Sequence, residues 1–182
     1  LSRAIHHIRP LQKSIASACL FVLLCCCTFS SHAQNPTANQ IKAVFLYNFS
    51  KFITWPSNPP ANTPFVIGIL GANPFGNYLE QVVEDESVGN QQIVVQYYNS
   101  VTDIKACHIL YINKSNAADI AKSLGERSIL TVGEGDEFAT SGGIVRFYFD
   151  NNKIRLRINQ RHAKAANLQV SSKLLRIADV IE

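Results

Sequence analysis

Four short apolar runs, each closed by turn or helical signals, leave this chain few architectures to adopt. The runs are Phe65–Leu70, Gln92–Tyr98, Cys107–Ile112 and Ser128–Val132. The first opens into Gly71-Ala72-Asn73-Pro74-Phe75-Gly76 and a helical stretch reaching about Glu84. The third leads into a helix over roughly 115–124, and the fourth into the acidic turn Gly133-Glu134-Gly135-Asp136-Glu137. Parallel strands need long crossovers, usually helical, so this alternation predicts a doubly wound, largely parallel sheet with helices on both faces.

The flanks modify that pattern. Ile41, Val44, Phe45, Phe49, Phe52 and Ile53 recur at helical spacing, and Leu46 and Tyr47 widen the face. They predict a helix over 39–54, capped by Thr37 or Asn39 and stopped at Trp55-Pro56. Residues 56–64 hold four prolines and read as a loop. Near the other end, Gly143–Phe149 and Lys153–Asn159 flank Asn151-Asn152, a pair suited to a two-residue hairpin turn. Pairing Asp150 with Lys153 sets Phe149 against Ile154, Phe147 against Leu156 and Val145 against Ile158, three apolar pairs on one face. A helix over about 159–166 follows. Val170, Leu174, Ile177, Ala178 and Ile181 predict a second one, starting at Ser171 or Ser172 and ending near Ile181. The expected fold is an open mixed sheet of about six strands, four largely parallel and two in a C-terminal hairpin, with helices on both faces.

The N-terminal segment is of another kind. Arg3, Arg9 and Lys13 stand without an acid, then an apolar run extends from Ile15 to Phe29, and Ser31-His32-Ala33 gives a small-x-small exit. Those three parts make a secretory signal over residues 1–33, with cleavage near Ala33 and a single domain over 34–182. The run falls short of the roughly 20 apolar residues that span a bilayer. Three of the 17 basic residues and four of the five cysteines leave with it, and none of the 13 acids. The remainder is nearly neutral and keeps one thiol, Cys107. A basic nucleic-acid binder and a disulfide framework are both excluded by that arithmetic.

Catalytic signals are sparse. Cys107-His108 sets a thiol beside a base, but neighbours on a strand point to opposite faces. His162 is the other histidine past Ala33, placed on a surface helix, and two histidines with one cysteine make no zinc site. The loop carrying Gly71, Asn73, Phe75 and Gly76 sits where open sheets bind ligands, although Gly76 is followed by Asn77-Tyr78 and forms no P-loop. Glu134, Asp136 and Glu137 read either as a cation-binding or paired-carboxylate set, or as the acidic N-terminus of a short helix. The second reading is the commoner one. No cofactor or metal is expected.

The hairpin's outer face is more informative. Its register sets Arg146 opposite Arg157 and Tyr148 opposite Arg155. Like charges across a ladder repel unless an anion lies between them. Local acids such as Asp150 or Asp179 supply one answer, and docking onto an acidic partner surface supplies another. Arg146, Tyr148, Arg155, Arg157, Asn159 and Lys173 are the partner-binding candidates, with Ser171 and Ser172 as helix caps.

Several segments resemble one family. Lys42-Ala43-Val44-Phe45-Leu46-Tyr47-Asn48-Phe49-Ser50-Lys51-Phe52 with Trp55-Pro56 is similar to the opening signature of the YfiR family of exported bacterial proteins. Gly142-Gly143-Ile144, Arg155-Leu156-Arg157-Ile158-Asn159 and Leu168-Gln169-Val170-Ser171-Ser172-Lys173-Leu174-Leu175 resemble its later elements, in order. The resemblance covers about Gln40–Val180. It implies a small periplasmic α/β protein, not an enzyme. Such a protein binds the periplasmic sensory domain of an inner-membrane diguanylate cyclase, represses it and so lowers cyclic di-GMP and biofilm formation. A homodimer lies within the family's range, and an alternative is a small-ligand sensor module acting with a different membrane sensor. Disulfide-based redox control, used elsewhere in the family, is not available to a chain left with Cys107 alone.

Overall fold

The computed structural model describes residues 35–56 and 63–182. The expected signal over 1–33 lies outside the described residues, as does most of the proline-rich loop. Thr37 opens helix α1 (Ala38–Phe52) through a capping box: its hydroxyl accepts from the Gln40 N–H, and the Gln40 side chain accepts from the Thr37 N–H. The buried face of α1 is Lys42, Ala43, Leu46, Tyr47, Phe49 and Ser50, rotated from the expected stripe, so that Val44 is 38% exposed. Each of the fully buried side chains Leu46 and Phe49 contributes roughly 1.5–3 kcal/mol of transfer free energy. The helix also stops earlier than its periodicity suggests. Ile53 and Thr54 leave it as β1 (Ile53–Thr54), pairing antiparallel with β9 (Gln169–Val170).

The sheet follows in chain order. Strand β2 (Phe65–Gly71) leads through the glycine loop to α2 (Tyr78–Val83), then β3 (Ser87–Val88) and β4 (Gln91–Tyr98). Strand β5 (Ile109–Asn113) precedes α3 (Ala117–Ser123), and β6 (Leu130–Gly133) precedes α4 (Phe138–Ser141). The hairpin strands are β7 (Val145–Asp150) and β8 (Lys153–Asn159), followed by α5 (Gln160–Ala165). The main sheet has eight strands in the order β10-β8-β7-β6-β5-β2-β4-β3, where β10 is Asp179–Ile181. Strands β4, β2, β5, β6 and β7 run parallel, and the chain starts in the middle at β2, winds out to β4 and then returns past it. That is the doubly wound pattern, with its switch point at the carboxyl ends of β2 and β5.

Two core layers cover the sheet. One packs α1, α2 and α5 against Ile67, Ile69, Leu130, Phe147, Leu156 and Ile158. The other packs α3 and Phe138 of α4 against Val66, Leu70, Leu110 and Ile112. The hairpin has the expected register residue for residue, and its turn holds Asn151 and Asn152 at φ 47° and 60°, the geometry of a primed turn.

The last element differs from expectation. Only a short helix, α6 (Ser172–Leu175), forms at the end, capped by Ser171, whose hydroxyl accepts from the Lys173 N–H. Leu174 is buried, but Ile177 is 60% exposed, and the chain joins the sheet as β10, parallel to β8. The open edge of β8 supplies main-chain partners, and Asp179 meets Arg157. Those tertiary bonds outweigh a helical period that local sequence favoured.

Candidate functional site

The outer face of the hairpin gathers four of the six expected binding residues. Strands β7 and β8 turn Val145, Phe147, Leu156 and Ile158 into the first core layer, so alternation sends Arg146, Tyr148, Arg155 and Arg157 to the other side. Among the described residues, the second core layer includes none from β7, β8 or β10. The arginines on this face are not equivalent. Arg146 has a side chain 12% exposed, ion-pairs with Asp136 and donates from Nε to the Glu134 carbonyl at 3.3 Å. Arg157 donates from Nε to Asp179 at 2.6 Å. Both guanidinium groups lie 5.5 Å from the centre of the Tyr148 ring, within cation–π range. Arg155 is half exposed and reaches Asp150 only at 3.6 Å.

Local acids therefore resolve the Arg146–Arg157 repulsion. Asp179 does so as anticipated, on Arg157, while Asp150 pairs with Arg155 instead. Asp136 does so from the acidic turn, which linear spacing did not connect to the hairpin. Of the three arginines on this face, Arg155 is the least engaged.

The other two expected contacts lie elsewhere. Asn159 is 1% exposed; its amide donates to the Ala139 carbonyl at 2.9 Å, and its oxygen accepts from the His162 N–H at 3.0 Å as the cap of α5. It is a structural hinge between hairpin, α4 and α5, not a surface residue. Lys173 is exposed on α6, apart from the arginine face in sequence and element.

A second polar cluster closes the carboxyl end of the sheet. Lys42 of α1 is 4% exposed and lies 2.7 Å from Oε1 of Glu134, which also accepts from the Tyr111 hydroxyl. Burial first, and that bond second, push the Tyr111 pKa up. Phe75 from the glycine loop packs edge-on against Tyr111 with ring centres 5.0 Å apart, and Asn39 of α1 donates to the Pro74 carbonyl. Helix α1 thus fills space where open α/β sheets commonly receive a ligand. No signal in the sequence marked Lys42, because a lysine on an amphipathic helix reads as solvent-facing.

The glycine loop is closed on itself. Gly71 and Gly76 have φ of 100° and 59°, and a Cβ on Gly71 would lie 2.4 Å from the Asn113 carbonyl. Asn73 accepts from the Phe75 N–H and donates to the Gly76 carbonyl. Its amide also approaches the Tyr97 hydroxyl, which bonds Glu80.

The remaining candidates are structural. Cys107 lies just before β5, not within it; its thiol is buried, donates to the Ile109 carbonyl at 3.0 Å, and is pushed by burial up to about 12. His108 faces the opposite layer, where it stacks on Phe65 at 4.3 Å and accepts the Val66 N–H at 3.0 Å. His162 is partly buried on α5, with Nδ1 2.9 Å from the Gly143 carbonyl. Glu134 and Asp136 are engaged by Lys42, Tyr111 and Arg146, and the described residues hold no cluster of His, Cys, Asp or Glu fit for a metal. Among those residues no helix is long and apolar enough to cross a membrane.

The Gly142-Gly143 pair has a steric explanation: a Cβ on Gly143 would lie 2.1 Å from the Phe138 ring. No curated protein matches the chain. A family model described as DUF4154, YfiR/HmsC-like, matches residues 39–179, which takes in α1, all the parallel strands, the hairpin and the start of β10. The chain belongs to the YfiR/HmsC-like family.

Proposed function

We propose that this protein is an exported, non-enzymatic regulator that binds the periplasmic sensory domain of an inner-membrane signalling protein. The partner is a diguanylate cyclase, which the bound regulator holds inactive, lowering cyclic di-GMP and restraining biofilm formation. Residues 1–33 act as the export signal, removed near Ala33. Family membership supports the class of function. The observation that carries the binding mode is the polar outer face of β7 and β8, where half-exposed Arg155 offers donors beside the Arg146, Tyr148 and Arg157 cluster. Ordered aromatic and arginine side chains are favoured anchors of protein interfaces. The mechanism is differential affinity: a regulator that binds the inactive sensor more tightly shifts the population toward that state.

The rival ligand-sensor reading rests on the place of Gly71, Asn73, Phe75 and Gly76 at the switch point. The self-closed loop and the filled crevice favour the protein-binding reading over it.

The test is genetic and biochemical together. Deleting the gene raises cyclic di-GMP in cells that carry the cognate cyclase, and restoring the wild-type gene reverses it. Arg155→Glu fails to restore it and retains less than a tenth of the affinity for the sensory domain, a loss of about 1.4 kcal/mol or more. Unchanged nucleotide levels on deletion, with no membrane sensor recovered on the tagged protein, overturn the proposal.

A further inference from the structure

Between Asp150 and Asp179 the chain carries seven Lys or Arg and no acid, although the part past Ala33 is nearly neutral as a whole. Arg155 and Arg157 stand on the outer face of the hairpin. Four others, Arg161 and Lys164 on α5, Lys173 on α6 and Arg176 just after it, are exposed. Within the described residues none of the four makes an ion pair or a side-chain hydrogen bond. Helix α5 packs against both β9 and β10, and α6 follows β9 after one residue, so the two pairs of cations occupy neighbouring segments. Ala163 buries α5 in the first core layer, which puts this patch across the sheet from Arg155. Two apolar side chains stand exposed beside it. Ile177 directly follows Arg176, and Val180 lies on the α5 side of the sheet because it is in register with Ile158. The opposite edge has the opposite sign: Glu80 on α2 and Glu84, Asp85 and Glu86 ahead of β3 lie at the β4–β3 end.

We propose that this basic end docks on an anionic phospholipid surface, with the Ile177 side chain entering the headgroup region. Clusters of four or more Lys and Arg beside exposed apolar side chains are what such surfaces attract: the cations meet phosphates while the aliphatic group leaves water. A fluid lipid surface suits this patch better than a folded acidic protein does. Its cations come from two short elements and no neighbour holds them in a fixed geometry, so nothing preorganises them for one pattern of carboxylates. The charge separation along the sheet orients the molecule with its basic end toward the lipid, and the far side of the sheet leaves the Arg155 face free for the sensory domain. The inference rests on the export reading for the membrane that the protein meets. It adds to the proposed function a means of concentrating the regulator beside a membrane-bound partner.

The test uses the chain purified after natural processing, with vesicles of phosphatidylcholine alone or mixed with phosphatidylglycerol. In cosedimentation the protein binds the mixed vesicles and not the neutral ones, and binding falls as salt is raised. Lys173→Gln combined with Arg176→Gln lowers the partition coefficient more than about tenfold, at roughly fivefold per cation. Arg155→Ala, across the sheet, changes it by less than about twofold. Ile177→Ser removes the part of binding that survives high salt, because the transfer of an apolar side chain is not screened. All these positions are exposed, and unchanged circular dichroism verifies the fold of each variant. Equal binding to both vesicle types overturns the proposal, as does its absence from both. A double variant that binds the mixed vesicles as the parent does overturns it too, and if that variant loses the sensory domain the patch is a protein interface. Vesicle binding is read without the cyclase, so the two proposals fail separately.

Discussion

The Lys42 ammonium and the Glu134 carboxylate lie 2.7 Å apart although 92 positions separate them in the chain, and they differ sharply in exposure: 5% of the lysine side chain against 40% of the glutamate. The pair joins α1 to the loop after β6, and the same loop reaches the hairpin through Asp136 and Arg146. The exposure difference makes the two halves of the pair unequal in energy. Glu134→Gln strands a buried cation and destabilises by roughly 2–3 kcal/mol, below the full cost of breaking a wholly buried pair because water reaches this side. Lys42→Met leaves a carboxylate that water and Tyr111 still solvate, and costs about 1 kcal/mol or less. Urea unfolding of both variants at neutral pH checks the order.

The arginines of the hairpin separate in the same way. Alternation along the strand places Arg155 and Arg157 on one face without telling them apart. In the fold, Arg157 is held by Asp179 and stacked on Tyr148. Arg155→Glu therefore shifts stability by no more than about 0.5 kcal/mol, while Arg157→Glu costs about 1–2 kcal/mol through the lost ion pair and stacking. Thermal melts of the two single variants, read beside sensory-domain affinity, distinguish the docking residue from the structural one.

Burial lowers the His108 pKa below the ordinary imidazole value. The unfolded chain consequently takes up its proton at higher pH than the folded chain does. The neutral ring, stacked on Phe65 and accepting from Val66, contributes stability that is complete above the unfolded pKa of about 6.5 and is lost as pH falls through the lower folded value. Urea midpoints fall between about pH 7.5 and about pH 5. His108→Asn keeps an acceptor for the Val66 N–H and removes the titration, so its midpoint falls less over that interval.

The glycine loop offers a clean contrast. Gly71 combines a φ of 100° with the Asn113 carbonyl 2.4 Å from any added Cβ, whereas Gly76, at φ 59°, faces open space. Gly71→Ala pays for both strain and collision and destabilises by at least about 2 kcal/mol; Gly76→Ala carries the left-handed penalty alone, about 1 kcal/mol. Denaturant midpoints of the two variants at constant slope verify the difference.

Elements whose information is local were legible in the sequence. The hairpin register followed from Asn151-Asn152 and three apolar pairs, and the polar residues ahead of the first apolar stripe narrowed its cap to Thr37 or Asn39, of which the fold uses Thr37. The candidate site was half legible. Alternation placed Arg146, Tyr148, Arg155 and Arg157 on one face, but not which of them has free donors. Asn159 looked exposed and is buried, because its partners Ala139 and His162 lie on other elements.

By itself, then, the sequence determined a doubly wound α/β chain with a terminal hairpin, since strand alternation, turn residues and helical spacing are read within a few residues of one another. Tertiary structure alone decided the rest. It drew Asp179–Ile181 out of a helical pattern to pair with β8. It buried Lys42 against Glu134, and it paired the far side of β4 with β3 only at Gln91 and Gln92. Each of these depends on which backbone edge or counter-charge arrives from a distant part of the chain. Hydrogen bonds and ion pairs are satisfied in space, and spacing along the chain does not encode where that partner will be.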